Sequence, residues 1–173
     1  MKTKMIYLFS LITLLSGCDL LKDANTIDIS TDLTANIPVV AAKKSSLDIN
    51  AVSFTKTQDL NLASNTDIEP YLSNIESINL NSLLVTVNGL TGTQTINSVS
   101  LDVAGVGNIF TQTNITMSNN SFTPVIAAGV LNQVATKLTS DKKITLTVSG
   151  NASGPMSFTV SLNFDTVLTA KVL

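Results

Sequence analysis

Apolar and polar residues alternate most regularly over the last third of the chain. From Met156 to Val172 almost every second residue is apolar, and the residues between them are mainly Ser, Thr, Asn and Asp. The shorter run Ile144–Val148 alternates in the same way, and the intervening residues 150–155 include two glycines and a proline. Because a period of two places alternate side chains on opposite faces of a strand, this pattern predicts a long β-hairpin with one apolar and one polar face.

The segment that begins at Thr26 has the same period. Residues 26–37 alternate between apolar and polar side chains, which predicts a half-buried strand that Pro38 ends or marks as a sheet edge. The parity of the apolar positions then switches twice, at Ala51–Val52 and at Leu80–Leu83. One extra residue in a strand produces such a switch, so we expect a β-bulge at each point.

A helical period interrupts the strands before the last two runs. Four apolar residues recur every four positions: Ile126, Val130, Val134 and Leu138. This spacing places them on one stripe of a helix, which we predict over Pro124–Leu138 with Thr123 as its cap. Earlier in the chain, Asp67 and Pro70 predict a short helical turn that carries Leu72 and Ile75 towards the core.

Further strands are predicted around 96–103 and 109–117, with a turn at Gly105-Val106-Gly107 between them and another turn at Asn119-Asn120. No repeat of fixed period is evident. About seven strands with one inserted α-helix and a short helical turn predict a mainly β protein, an antiparallel β-sandwich. The alternative is a curled sheet that closes around the helix.

The first eighteen residues have the pattern of a secretion signal. Lys2 and Lys4 precede the apolar run Ile6–Leu15, which is too short for a membrane-spanning helix, since that needs about 20 residues. Small residues follow in Leu15-Ser16-Gly17-Cys18, and Cys18 is the single cysteine of the chain. An ordinary signal peptide with a chance cysteine is the simpler alternative. The four residues resemble the lipobox of bacterial lipoproteins.

The lipobox resemblance implies a division of the chain and a place in the cell. It implies cleavage between Gly17 and Cys18, removal of residues 1–17, and attachment of a diacylglyceryl group and a further acyl chain to Cys18. Two or more acyl chains would hold the protein stably in a membrane. Residues 18–25 would then form a tether and 26–173 one β-sandwich domain. The outer membrane or the cell surface is the favoured site. Asp19 resembles an inner-membrane retention signal of some bacteria, which keeps the inner membrane as an alternative.

The amino-acid composition argues against several classes of function. The chain contains no histidine, tryptophan or arginine, and after removal of residues 1–17 it carries 8 lysines against 12 carboxylates, a net charge of −4. Nucleic-acid binding requires a basic surface, so we exclude nucleic acid as a partner. Histidine, the commonest general base and metal ligand, is missing, and with Cys18 acylated no free thiol remains. We therefore expect no enzymatic activity, no cofactor, no metal and no catalytic residue.

Three groups of residues are candidate sites. Asn65, Asp67 and Glu69 alternate like part of a calcium loop but lack its glycine and its other ligands, so capping and turn chemistry explain them better. A Ser-Lys catalytic pair has no flanking motif of the expected type. A carboxylate-based hydrolase would need two acidic side chains in one cleft. The candidates for such a pair are Asp28, Asp32, Asp48, Asp102 and Asp165.

The C-terminal third also resembles a second family. A helix, the strand Lys143–Gly150, a loop ending at Pro155 and a long final strand are similar to the late-embryogenesis-abundant and water-stress sandwich family. That resemblance implies a seven-stranded sandwich and a binding or protective role. The sequence as a whole predicts a non-enzymatic envelope lipoprotein that contacts membrane lipid through Cys18 and binds an envelope protein or serves a structural role. The alternative is a carrier of a lipid or other apolar ligand between sheet and helix, and the second alternative is the hydrolase.

Overall fold

The computed structural model describes residues 25–42 and 52–172, which form two antiparallel sheets of four strands each. The predicted parity switch at Ala51–Val52 lies outside these residues. The strands are β1 Thr26–Ala41, β2 Val52–Asn61, β3 Ile75–Asn88, β4 Ile96–Val103, β5 Gly107–Ile115, β6 Ser121–Phe122, β7 Lys143–Ala152 and β8 Met156–Lys171. The helix α1 spans Ala128–Asp141, and 3-10 turns span Leu62–Ser64 and Glu69–Asn74.

The predicted antiparallel β-sandwich is confirmed. The first sheet has the strand order β1-β8-β3-β6, and the second has the order β2-β7-β4-β5. The described strands number eight rather than about seven because the two-residue β6 pairs with Val85 and Thr86 of β3. So short a segment leaves no period in the sequence by which it could be recognised.

The core lies between the two sheets and contains one apolar face from each. In β8 the buried residues alternate with partly exposed ones along the whole strand, as the sequence pattern predicts. At Thr166 the alternation places a hydroxyl in the core, where it donates a 3.0 Å hydrogen bond to the Phe164 carbonyl oxygen. Phe54 of the second sheet meets Phe158 of the first edge to face, with ring centroids 5.2 Å apart. Contact between the two sheets therefore extends to the end of the sandwich where β2 and β8 begin.

The predicted hairpin of the last two strands is wrong. Strand β7 lies in the second sheet between β2 and β4, whereas β8 lies in the first sheet between β1 and β3. Residues 153–155 therefore cross from one sheet to the other instead of turning within one. A hairpin and such a crossing share the same alternation along the chain, because both keep one apolar face on each strand. The neighbours of β7 and β8 distinguish the two arrangements: β7 pairs with β2 and β4, and β8 pairs with β1 and β3.

The helix is confirmed, but its predicted beginning is wrong. It starts at Ala128, after an extended Ala127, and neither Thr123 nor Pro124 belongs to its first turn. The buried stripe consists of Leu131, Val134, Ala135 and Leu138. Val130 is half-buried, and Ile126 precedes the helix. The helix packs mainly against β3, beside the part of that strand that β6 leaves without a neighbour.

Two sequence predictions about strand irregularity are confirmed. The pairing of β3 with β8 shifts register between Leu80 and Ser82, which is the bulge expected from the parity switch. Pro38 lies in β1, which is an edge strand of the first sheet, and the strand continues past it to Ala41. An edge position tolerates proline because the missing N–H is not needed on the open side.

The crossing from β2 to β3 closes one end of the sandwich. Leu62 and Ile68 are fully buried there, while Leu72 and Ile75 are only half-buried against the core. Pro70 occupies the first turn of the 3-10 segment as predicted, but Asp67 does not cap it, because the cap position is Ile68. The crossing therefore seals the core mainly through Ile68, which the sequence analysis did not single out.

Two glycines of the β7–β8 region provide a matched test of this packing. A Cβ atom on Gly150 would overlap the Ser98 carbonyl oxygen and would lie 2.8 Å from Cζ of Phe54, whereas a Cβ atom on Gly154 would meet nothing. Gly150→Ala should therefore lower the free energy of unfolding by about 1–3 kcal/mol, and Gly154→Ala should change it by less than about 0.5 kcal/mol. Urea denaturation of both variants measures the difference. Equal stability of the two variants would contradict the close approach of β4 to β7.

Candidate functional site

Both ends of the described chain lie at the same end of the sandwich. The amide of Val172 donates a 2.8 Å hydrogen bond to the carbonyl oxygen of Asn25. We call this the basal end, where β1, β3, β5 and β7 begin, and we call the opposite end distal. Cys18 and Gly17, the predicted lipidation and cleavage residues, lie outside the described residues. The chain that leads back to them leaves the domain at the basal end.

The strand register brings one pair of the candidate carboxylates together. Asp32 of β1 lies directly opposite Asp165 of β8 on the outer face of the first sheet. The side-chain amide of Asn163 donates to Asp32 over 3.1 Å, and that of Asn81 donates to Asp165 over 3.2 Å. Both carboxylates are solvent-exposed. The pair could not be derived from the sequence because the β1–β8 register joins residues far apart in the chain.

The other candidate carboxylates are dispersed. Asp28 is on the same face of β1 and accepts a 2.7 Å hydrogen bond from the Thr169 hydroxyl. Asp102 belongs to the second sheet, and Asp48 lies outside the described residues. Within residues 25–42 and 52–172, no three acidic, histidine or cysteine side chains are arranged to hold a metal ion.

The three residues that resemble part of a calcium loop serve the turn between β2 and β3. Asn65 accepts a hydrogen bond from the Asp67 amide, and its side-chain amide donates to the Thr31 hydroxyl and to the Asp32 carbonyl oxygen. Asp67 accepts from the Thr31 hydroxyl over 3.2 Å. The side-chain nitrogen of Asn65 and the carboxylate of Asp67 thus connect the crossing segment to the edge of β1, which is a structural role.

A polar cleft of about 260 Å³ lies between the edge strands β1 and β2. Its walls are formed by residues of both strands and of the crossing: Asp32, Leu33, Thr34, Gln58, Asp59, Leu60, Asn61, Ser64 and Asn65. Asp59 accepts a 2.7 Å hydrogen bond from the Thr145 hydroxyl, and Asp32 is bound by Asn163. The cleft thus combines two carboxylates with amides and hydroxyls, and both carboxylates already accept one hydrogen bond from the protein.

The inner face of α1 is packed. Val134 and Leu138, which the apolar-carrier alternative assigns to a ligand space, are fully buried in the core. Two recesses of about 450 and 410 Å³ flank the helix, but both are open to solvent, and polar residues such as Asn132, Thr136 and Ser140 contribute to both linings. Nothing in this packing supports the carrier alternative. No helix of the described residues is both long enough and apolar enough to cross a bilayer.

Three of the described lysines bind partners other than a serine hydroxyl. Lys137 forms a 2.7 Å ion pair with Asp141, and this hydrogen bond holds the pKa of the Asp141 carboxyl below its usual value. Lys171 binds Glu76 over 2.9 Å, which raises the pKa of the lysine. The ammonium group of Lys142 donates to the Thr139 carbonyl oxygen. No Ser-Lys arrangement is formed by these three lysines.

The outer face of the second sheet carries a surface that the sequence analysis missed. Besides Asp59 and Asp102, the outward side chains there include nine hydroxyls and one amide: Ser53, Thr55, Thr57, Ser98, Ser100, Thr111, Thr113, Thr147, Ser149 and Asn151. We call this set the hydroxyl face. All ten are exposed or half-exposed. The residues come from four strands, so the surface exists only once β2, β7, β4 and β5 lie side by side.

Comparison with known proteins adds no family. No protein-family model and no curated protein matches the chain. Among solved structures, a chain from Desmodium yellow mottle tymovirus is similar at 12% identity, covering 84% of this chain and 90% of that one with a TM-score of 0.28. At that TM-score the similarity has no bearing on fold or function.

The Asp32–Asp165 pair generates a prediction about stability. Like charges directly opposite each other on neighbouring strands destabilise a sheet, so Asp165→Asn should raise the free energy of unfolding by about 0.2–1 kcal/mol at pH 7 and low salt. Sodium chloride at about 1 M should shrink the gain, because salt screens the repulsion. Asp102→Asn is the control, since Asp102 faces Thr147 and Asn108 rather than a carboxylate. If both substitutions raise the free energy of unfolding equally, repulsion between Asp32 and Asp165 does not destabilise the sheet.

Proposed function

We propose that this protein is a membrane-anchored lipoprotein of the bacterial cell envelope with a non-enzymatic binding or structural role. The observation that carries the proposal is the sequence Leu15-Ser16-Gly17-Cys18 after a lysine-tipped apolar run. On this proposal, peptidase cleavage after Gly17 leaves Cys18 as an acylated N-terminus that binds membrane lipid. Several acyl chains on one residue give a stable anchor, at about 0.8 kcal/mol per buried methylene.

The position of the first strand is consistent with a short tether. Strand β1 starts at Thr26, eight residues after Cys18. Eight extended residues span at most about 25–29 Å, so the domain stays close to the bilayer. Since Asn25 and Val172 meet at the basal end, that end faces the membrane on this proposal.

The non-enzymatic part of the proposal is supported by residue types and by placement. The chain has no histidine and no arginine, and the carboxylates of the described part are spread over both sheets, the crossing segment and α1. The one pair that the register forms, Asp32 with Asp165, is exposed on a sheet face rather than enclosed with a second catalytic group. An envelope protein is the partner class that we favour, at the outer membrane or cell surface.

The anchor is tested by replacing Cys18. Cells that produce Cys18→Ala should incorporate no labelled palmitate into the protein, and the protein should migrate as the uncleaved precursor. The reason is that the thiol is the acceptor of the lipid and that lipoprotein processing depends on it. Metabolic labelling followed by gel electrophoresis and membrane fractionation measures both effects.

Ser30→Ala, on the exposed face of β1, serves as the matched control and should retain label, mobility and membrane association. The anchor proposal fails if Cys18→Ala keeps its label, or if it stays membrane-bound with unchanged mobility.

A further inference from the structure

We propose that an apolar segment between β6 and α1 docks the domain on the lipid surface that holds its anchor. The segment consists of residues 124–130, and we call it the strap. The inference rests on the proposed function, because the acylated Cys18 is what brings the strap to a membrane. It goes beyond that function by assigning a second, non-covalent lipid contact to the domain itself.

The strap is apolar from end to end, and the protein does not cover it. Its sequence is Pro-Val-Ile-Ala-Ala-Gly-Val, and none of these residues is buried. The side chain of Val125 is fully exposed. Within the described ranges, 25–42 and 52–172, no other run of this length is free of polar side chains. A run of exposed apolar residues on a protein surface is a mark of a contact site.

The fold itself does not require this composition. Helix α1 starts within the strap, and Ala127 at its cap position offers no side chain to the free N–H groups of the first turn. That turn contains no acidic residue either. Ser, Thr, Asp or Asn at the cap and an acid in the first turn would both stabilise the helix. Val125 gains nothing from packing in return, and such a departure from local rules is typical of functional segments.

The surroundings of the strap allow contact with lipid. Residues 103–136, which include β5, β6, the strap and the first half of α1, contain no charged side chain. The next charged residue along the helix, Lys137, is paired with Asp141. No charge of this stretch therefore has to lose its hydration when the strap meets a bilayer. Removal of the apolar side chains from water supplies the attraction.

The position of the strap is compatible with the length of the tether. The strands β1 and β6 are the opposite edges of the first sheet, so the strap and Asn25 lie on opposite sides of the domain. Three strand spacings separate these edges, which is about 14 Å. The eight residues from Cys18 to the first strand span at most about 25–29 Å. The domain can therefore tilt from an upright position until the strap meets the bilayer, while Cys18 stays in the membrane.

The anchor also makes a weak contact sufficient. A few exposed apolar side chains would not hold a free protein on a membrane. When a tether links two contacts, the second forms at a high effective concentration and needs little affinity of its own. A bilayer is always within reach of the tethered domain, whereas a partner protein has to arrive by diffusion. On this inference the acyl chains attach the protein, and the strap determines how the domain lies on the surface.

The single cysteine makes a site-specific test possible. With Cys18 acylated, the variant Val125→Cys has one free thiol, which takes up a nitrobenzoxadiazole label. The full mature chain is purified from membranes and reconstituted into phosphatidylcholine vesicles, with or without lipids that carry a nitroxide on the acyl chain. We expect the nitroxide to quench the label by about half, because apolar interfacial segments lie about 5–10 Å deep in the boundary region. A label at Ser30→Cys, on the exposed face of β1, should keep its fluorescence.

A charge on the strap should release it from the bilayer. Gly129→Asp, combined with the label at position 125, should reduce the quenching at least threefold. Gly154→Asp is the matched control and should leave the quenching unchanged, because Gly154 lies between β7 and β8 and outside the strap. A Cβ atom on either glycine would meet no other atom, and an acid near the start of a helix is favourable, so both variants should fold. Thermal unfolding confirms that they do.

The inference is overturned if the label at position 125 is not quenched, if labels at positions 125 and 30 are quenched equally, or if Gly129→Asp changes nothing. It is also overturned if the label at position 125 is shielded from aqueous iodide but not quenched by the nitroxide, since a second copy of the chain would then cover the strap. Uptake of label by the wild-type chain would reveal a free Cys18 thiol. That result would overturn the proposed function, and with it the anchor, before any quenching is measured.

Discussion

Burial of the apolar faces of two central strands, β7 and β8, between the sheets is the constraint on which the rest of the structure depends. Each strand has a neighbour on both edges, and each contributes a line of fully buried side chains, including Leu146 in β7 and Phe164 in β8. Full burial of one such side chain stabilises a protein by about 1.5–3 kcal/mol. The single cysteine excludes an internal disulfide, so this packing is the main source of stability.

The same constraint decides where chemistry can occur. Because every second residue of each long strand is committed to the core, polar groups are confined to the outer faces, the edges and the two ends. The edges of the sandwich are protected in different ways. Pro38 removes a donor from β1, exposed Lys56 occupies an inward position of the β2 edge, and α1 covers part of β3. The outer faces remain as the large accessible surfaces, and both carry rows of Ser, Thr and Asn side chains together with carboxylates.

The sequence predicted what depends on neighbours along the chain and missed what depends on neighbours in space. The bulge at Leu80–Ser82, the edge position of Pro38 and the antiparallel sandwich follow from period and parity, which are local properties. The hairpin prediction failed because alternation does not state which sheet a strand joins. The predicted start of the helix was wrong because Ile126 continues the four-residue spacing although it lies before the first helical residue, Ala128. The strand register was needed to recognise that Asp165 lies opposite Asp32 and that the residues of the hydroxyl face lie side by side.

The proposed mature protein combines a lipid anchor, a short tether and a β-sandwich domain. The central proposal is that this mature protein begins at an acylated Cys18. Intact-mass spectrometry of the protein purified from membranes tests this most directly. The account predicts the mass of residues 18–173 plus a diacylglyceryl group and a further acyl chain. The mass of the uncleaved chain, or of a cleaved chain without lipid, would contradict it.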